Sequence, residues 1–467
     1  MTRRWNGKTL REILAISSLA EFYDWVPPNL TDSLSCFALA TFGLFPVVIA
    51  LRTLSHLSFD QMITDSMGLL DGFLFPLVAL FSVAAYSLTA GKLWNEKRPL
   101  KNNAPLKLFF ALLLWMCGNV LFVNGVTDSV WFGDGLQHES FLLHIEYFLS
   151  FLMMGVFLRE QRLKLWLLRG LTAVSLFLVP CAFYLWRNLQ ASPVYYDWRP
   201  SVACIWSNPN YYGYFLTVFV SLSAALFAGA ESRGWRAFYA AALVANSVTL
   251  CYNDTLGAWI GALCGCLFVV AAYRLRDGRW NRWSLAALGL FLLSMCAVGL
   301  ANGRLFANVS GLSRDVGLVL TQPDSAAAQG TGSGRWIIWR RCVELIRQYP
   351  LFGIGFEGVY VRNLREFMGA HYRPHNEYMQ YALFYGIPGG ALYLAGCASI
   401  YIRALRRRAV LDNVTLAALT AAFGYLCGAF FGLTVYNTAP YLFIMLGLGY
   451  VQAAETTETV ESTEATD

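Results

Sequence analysis

The chain alternates, over most of its length, between apolar runs of about twenty residues and short polar connections. Apolar runs of roughly 18 residues or more are long enough to cross a bilayer as helices. The pattern predicts twelve spans, near 33–54, 69–90, 106–126, 140–158, 166–186, 211–230, 235–253, 255–273, 282–301, 377–402, 412–434 and 437–454. Segment 13–30 is shorter and broken by Pro27 and Pro28, and reads as an interfacial helix and turn. The expected fold is an all-α integral membrane protein with one long extracytoplasmic loop between spans nine and ten. Its parts are an N-terminal segment (1–32), spans one to nine (33–301), the large loop (302–376), spans ten to twelve (377–454) and an acidic, low-complexity tail (455–467) expected to be disordered.

Composition supports this reading. The chain is 57% hydrophobic and 14% charged, against roughly 25% charged for an ordinary soluble domain. Charge placement then orients the spans. The segments on one side hold 23 of the 35 lysines and arginines, whereas the short loops on the other side hold only Arg52, Arg187 and Arg199. Positive charge collects in cytoplasmic loops, so both termini are expected in the cytoplasm. The first twelve residues are basic and polar, with no small-residue cleavage site after a short apolar core, so the first span is expected to remain as an anchor. Most of the eleven cysteines lie within apolar runs and none forms a CxxC pair, which fits small buried side chains rather than metal or redox chemistry.

The loop at 302–376 departs from this economy of charge. It holds nine arginines (Arg304, Arg314, Arg335, Arg340, Arg341, Arg347, Arg362, Arg365 and Arg373) and no lysine. Arginine keeps its charge and binds phosphate with a two-pronged fork, although a solvated loop also carries surface arginines. TGSG at 331–334 reads as a flexible lead-in with Ser333 available as a cap. RWIIWRRCVELIRQYP then reads as one amphipathic helix ended by Pro350, with Trp336, Trp339, Val343, Ile346 and Tyr349 on one face. It either lies along the membrane surface or packs on the bundle with Glu344 paired to Arg340 or Arg347. Gly353 and Gly355 permit a tight turn or a close backbone approach. RPHNEYMQ leads into span ten, with Asn376 as its cap and Glu377 in its first turn.

A second outer segment, YYDWRPSVACIWSNPNYYG, places Arg199 among aromatics ahead of an Asn208–Pro209–Asn210 turn. It is either part of a site or an aromatic interface belt with one snorkelling arginine. His144 and Glu146 in span four, and Asp71 in span two, are rare ionisable groups within spans; they line a site or serve the structure. No phosphate-binding glycine loop of the nucleoside-triphosphatase type occurs in a cytoplasmic segment. A reaction outside the cell needs a donor that is already activated. Arginines can hold a departing diphosphate without a metal, and a histidine can take a proton from an attacking hydroxyl.

The run GSGRWIIWRRCVELIRQYPLFGIGFEGV followed by RPHNEYMQYALFYGIPGG resembles the O-antigen ligase and O-antigen polymerase family of bacterial membrane proteins. The matching positions are Arg335, Trp336, Pro350, Gly353, Gly355, His375, Asn376 and Gly386, with Arg199, Asn208, Pro209 and Asn210 upstream. The resemblance implies a metal-independent glycosyltransferase with no cofactor in the cytoplasmic membrane. It would transfer or polymerise undecaprenyl-diphosphate-linked oligosaccharide onto a glycan or lipid-glycan acceptor during cell-surface polysaccharide assembly. Membrane lipids are its expected surroundings, and nucleic acid is not a partner. It further implies that Arg199 and Arg335 grip the diphosphate and His375 activates the acceptor hydroxyl. Arg340, Arg341, Asn376, Trp336, Glu146 and His144 are then candidates for substrate binding. The stretch DTLGAW puts Leu256 where family members often carry an arginine, so Arg340 or Arg341 would supply the missing contact. The alternative is a transporter or flippase of lipid-linked glycans, which calls for cations along the bundle interior.

Overall fold

A computed structural model of the chain describes residues 4–5, 7–26, 30, 32–34, 46–51, 54, 80, 84, 87, 104–125, 127, 130–131, 140–158, 160–189, 201–206, 208–355, 373–435 and 438–450. The described helices are α1 (Leu10–Leu14), α2 (Leu19–Trp25), α3 (Ala104–Asn119), α4 (Phe141–Leu152), α5 (Gln161–Leu189), α6 (Pro209–Gly229), α7 (Arg233–Asn253) and α8 (Leu256–Asp277). They continue with α9 (Arg282–Ala301), α10 (Arg304–Thr321), α11 (Ala326–Gln329), α12 (Thr331–Gln348), α13 (Glu377–Arg406), α14 (Asn413–Gly428) and α15 (Ala439–Leu448). A two-residue antiparallel pair, Arg4–Trp5 with Lys8–Thr9, precedes α1.

Among the described residues, seven helical stretches are long and apolar enough to cross a membrane: Ala104–Val123, Gln161–Asn188, Pro209–Gly229, Leu256–Asp277, Arg282–Ala301, Glu377–Arg406 and Asn413–Phe431. Two shorter apolar helices, Phe141–Val156 and Ala439–Leu448, and the less apolar α7 occupy three further predicted spans. The predicted spans 33–54 and 69–90, with Asp71, lie largely outside the described residues, as does the acidic tail.

The bundle is organised around α6, which is buried along nearly its whole length and packs against α7, α8, α9 and α14. Lipid tails are as apolar as leucine, so helices in a bilayer associate through close packing of small residues. Helix α8 supplies them at four-residue spacing with Gly257, Gly261 and Gly265. A methyl at Gly261 would stand 2.6 Å from the Gly424 carbonyl oxygen of α14, and one at Gly265 would stand 2.0 Å from Ser221 Oγ of α6.

Helix α13 is broken at Gly386, whose φ of +73° and ψ of 177° are not helical, two residues before Pro388. The break strands several backbone groups inside the bundle. Segment 350–355 enters beside it and satisfies them. Ile354 N donates to the Leu383 carbonyl at 2.9 Å, Gly355 N to that of Phe384 at 2.9 Å, and Ile387 N donates to the Pro350 carbonyl at 2.8 Å. From α3, Asn119 Nδ2 bonds the Phe384 carbonyl at 2.9 Å and the Phe352 carbonyl, and Trp115 Nε1 bonds the Tyr385 carbonyl at 2.8 Å. Trp115 also stacks on Phe352, with centroids 4.7 Å apart.

The loop differs from its sequence reading in three respects. Helix α10 occupies 304–321, where only connecting chain was expected, and its apolar side chains Phe306, Val309, Val316 and Leu320 are exposed. Helix α12 begins at Thr331 with Gly330 as its cap, so TGSG forms its first turn rather than a flexible lead-in. The buried side of α12 runs through Ile338 and Cys342 while Val343 is exposed, and Glu344 pairs with Arg341 at 2.8 Å rather than with Arg340 or Arg347. Packing on the bundle turns the helix away from the face that periodicity alone selects. Burial pushes the Cys342 thiol up to about 12, and it is free, as is the buried Cys204.

Gly386→Ala should destabilise the bundle, because a methyl there would meet the Leu351 carbonyl oxygen at 1.9 Å and positive φ costs an L residue about 1–2 kcal/mol before any clash. Gly311→Ala on α10, where an added methyl meets nothing within 4 Å, should leave stability unchanged or raised. Thermal unfolding midpoints of the two variants in detergent, compared with the parent, measure the contrast.

Candidate active site

The structure gathers one polar constellation at the end of the bundle where α12 meets the start of α13. Arg373 is buried, with Nη1 3.3 Å from the Thr434 carbonyl and its guanidinium 5.8 Å from the Phe384 ring centre. The Pro374 carbonyl accepts a 2.7 Å hydrogen bond from Trp339 Nε1 of α12. His375 follows with φ of +50°, left-handed backbone that few non-glycine residues adopt. Asn376 caps α13 by accepting from Met379 N at 2.9 Å. His375 is half-buried and sits between these two clamps. A strained backbone held by its surroundings is a feature of functional sites.

Behind this turn the Glu377 carboxylate is fully buried. One oxygen accepts from Tyr393 Oη and the other from Tyr425 Oη of α14 at 3.0 Å. Tyr381 stacks on Tyr393 with centroids 3.9 Å apart. The same aromatic column reaches His144 on α4. Its ring lies 5.8 Å from Tyr381 and 5.7 Å from Tyr385, with Nδ1 2.8 Å from the Ser140 carbonyl and Nε2 3.4 Å from Tyr385 Oη. Glu146 is buried with Oε2 lacking a hydrogen bond.

Among the nine loop arginines, those on described residues fall into two groups. Arg304 bonds the Tyr252 carbonyl at 2.7 Å and approaches Asp254 at 3.5 Å, Arg314 approaches Asp315 at 3.7 Å, and Arg340 bonds Asp324 at 2.6 Å. Arg341 pairs with Glu344, and Arg373 with the Thr434 carbonyl. Arg335 and Arg347 make no hydrogen bond or ion pair with other described residues. Arg347 lies exposed in the last turn of α12, whereas Arg335 is half-buried in its first turns. Arg335 lies one turn before Trp339, whose indole bonds the Pro374 carbonyl, so α12 carries it toward the His375 turn.

The predicted residues thus divide. Arg335, His375 and Asn376 come to one end of the bundle. His144 and Glu146 are buried in its interior, and His144 is connected to α13 through Tyr381 and Tyr385. Arg340 and Arg341 are engaged by carboxylates on the exposed side of α12, and Trp336 Nε1 bonds the Pro323 carbonyl at 2.9 Å. Arg199 lies outside the described residues, while Asn208 caps α6 by accepting from Asn210 N at 2.9 Å. Leu256 opens α8 after Thr255, and Arg304 stands beside neighbouring Asp254. Glu377, Tyr393, Tyr425 and Trp339 take part as supports that one-dimensional reading did not assign. Their only sequence signals are an acid in the first turn of a span and tyrosines on apolar faces.

An all-α membrane protein with a cationic and imidazole-bearing rim at one end of its bundle is the class that fold and geometry define. Residues 240–394 match the family described as O-antigen ligase, from within α7 to the middle of α13. The match takes in Arg335, Pro350, Gly353, Gly355, His375, Asn376 and Gly386, and supports the O-antigen ligase and polymerase family for this chain. No curated protein matches it.

Trp339→Phe keeps an aromatic ring against Phe430, now 5.6 Å away, but leaves the Pro374 carbonyl without its donor. The expected cost is about 1 kcal/mol of stability, with faster proteolytic cleavage near 373–376. Limited proteolysis of parent and variant in detergent tests both.

Proposed function

We propose that the protein transfers or polymerises polyprenyl-diphosphate-linked glycans on the outer face of the bacterial cytoplasmic membrane. The observation that carries this reading is that α12 brings Arg335, unbonded among the described residues, toward a clamped His375 at one rim of the bundle, in a chain whose residues 240–394 match the O-antigen ligase family. Positive-inside charge placement favours the outer face for that rim.

In the proposed reaction His375 takes the proton from an acceptor hydroxyl as its oxygen attacks the anomeric carbon of the donor sugar. The new C–O bond forms as the bond to the polyprenyl diphosphate breaks, and the diphosphate leaves with the electron pair. Attack opposite the leaving group inverts the anomeric centre. Arg335 stabilises the charge that develops on the diphosphate, a role in which a preformed cation is worth most in a water-poor site. Arg199, preceding α6, is the proposed second grip. Asn376 and the Glu377–tyrosine cluster hold the start of α13 so that the imidazole presents from a fixed turn. His144 and Glu146 contribute from within the bundle. The reaction as written needs no metal.

His375→Ala and Arg335→Ala are each expected to lower glycan transfer by at least about 100-fold in membranes supplied with lipid-linked donor, with protein level maintained. Full activity of the His375→Ala protein would remove the proposed base, and loss of wild-type activity on adding chelator would remove the metal-free account. Sizing the products separates the two outcomes of the chemistry. A ladder of repeat units means polymerisation, and one block on a different acceptor means ligation.

A further inference from the structure

The opposite end of the bundle holds a cavity of about 560 Å³ among the ends of α5, α6, α7, α8 and α14. Its lining includes Arg162, Arg169, Trp235, Tyr239, Arg276 and Asn413. None of these belongs to the site around His375. All lie at helix ends that charge placement assigns to the cytoplasm.

Arg169 is the feature that suggests a ligand. Its Nε donates to Tyr239 Oη at 3.1 Å, and its guanidinium carbon lies 3.8 Å from the Trp235 ring centre and 5.0 Å from that of Trp166. The fork is thus held against two indoles, yet its two terminal nitrogens bond no other described residue. Arg162, exposed on the same helix one and a half to two turns away, also makes no hydrogen bond or ion pair with described residues.

The other charges of the lining are largely spoken for. Arg276 is satisfied by Asp277, by Asn413 at 2.8 Å and by the Leu411 carbonyl at 3.2 Å. Asp412 caps α14, accepting from Thr415 N at 2.8 Å and Thr415 Oγ1 at 3.0 Å. Exposed Glu231 is the remaining acid of the lining. Among the described residues the lining thus offers two arginines with unbonded donors and one carboxylate, Glu231, that makes no hydrogen bond or ion pair.

We infer that this cavity binds a phosphate group, with Arg169 as the fixed fork and Arg162 as the second cation. Basic pockets between spans on the cytoplasmic side are suited to anionic lipid headgroups. Trp166 is half exposed on the lipid side of α5, and tryptophan favours headgroup depth. Leu165 and Leu226 give the cavity an apolar wall for the start of an acyl chain. A soluble phosphate compound presents the same group to the same fork.

The test uses the full chain purified in uncharged detergent and follows thermal unfolding during titration with phosphatidylglycerol, phosphatidylcholine or inorganic phosphate. Phosphatidylglycerol is expected to stabilise the protein, and phosphatidylcholine to do so much less. Arg162→Gln and Arg169→Gln are each expected to raise the half-saturating concentration about tenfold, the loss of one charge-assisted contact. Stabilisation by inorganic phosphate alone, with the same dependence on both arginines, assigns the site to a soluble phosphate. No stabilisation by either anion, or an equal response in parent and Arg162→Gln protein, overturns the inference. Arg162→Gln keeps the test decisive if Arg169→Gln does not fold, because Arg162 is exposed and makes no hydrogen bond or ion pair with the described residues. Glycan transfer is not the readout, so failure of the proposed function leaves this result independent.

Discussion

The broken backbone of α13 is the constraint on which the rest of this architecture depends. A span surrounded by lipid or apolar side chains has no water to satisfy a stray carbonyl, and each unsatisfied group costs several kcal/mol. Gly386 leaves such groups in mid-bundle, and they are met from two directions. Segment 350–355 donates and accepts through its own backbone, while α3 contributes the Asn119 amide and the Trp115 indole. Gly353 and Gly386 are needed because the two backbones touch. A methyl on Gly353 would lie 2.4 Å from the Leu383 carbonyl oxygen. The arginine-rich loop is thereby stitched into the bundle between Pro350 and Gly355.

That stitch also positions the proposed site. Helix α12 ends at Gln348, immediately before the inserted segment, so its far end is fixed to α13 at mid-span. Its middle is fixed to the Pro374 carbonyl by Trp339. Two attachments determine the direction of a rigid helix, and with it the location of Arg335 near its start. The first turn of α13 is secured separately by Asn376 and by the buried Glu377 with its two tyrosines. A buried carboxylate is tolerable when its oxygens are bonded, and here each oxygen has a phenol. Arg335 and His375 are thus carried by elements whose geometry is determined away from the residues themselves.

Much of this organisation was legible in one dimension, for reasons that can be named. Spans such as Pro209–Gly229 and Leu256–Asp277 announce themselves because apolarity over about twenty residues is a local property. The cap at Asn376 and the Asn208–Pro209–Asn210 turn were readable because each acts on residues two or three positions away. The order Arg335, Pro350, Gly353, Gly355, His375 and Gly386 carried the family resemblance, but not its physical reason. The pairing of 350–355 with 383–387 joins residues about thirty positions apart, and Asn119 is more than 200 positions from its acceptors. Helix α10 was missed because Phe306, Val309, Val316 and Leu320 are interspersed with polar and glycine residues that read as connection. The face of α12 was misjudged because Ile338 and Cys342 are buried by tertiary packing that outweighs the stripe of larger aromatics.

The arginine-rich loop illustrates how structure sharpens a compositional signal. Nine arginines without a lysine suggested a collective anion site, but five of those described are bonded to carboxylates or backbone carbonyls. A guanidinium serves a structural carbonyl or a ligand phosphate with the same fork, so number alone cannot distinguish the two uses. What distinguishes Arg335 is partial burial with no hydrogen bond or ion pair to any of the described residues. A cation withdrawn from water without a partner bears a desolvation cost that an incoming anion relieves. The residues that pair within the loop instead lower the local positive charge. In the proposed function this would leave Arg335, rather than the loop as a whole, to hold the diphosphate of a lipid-linked donor at the rim.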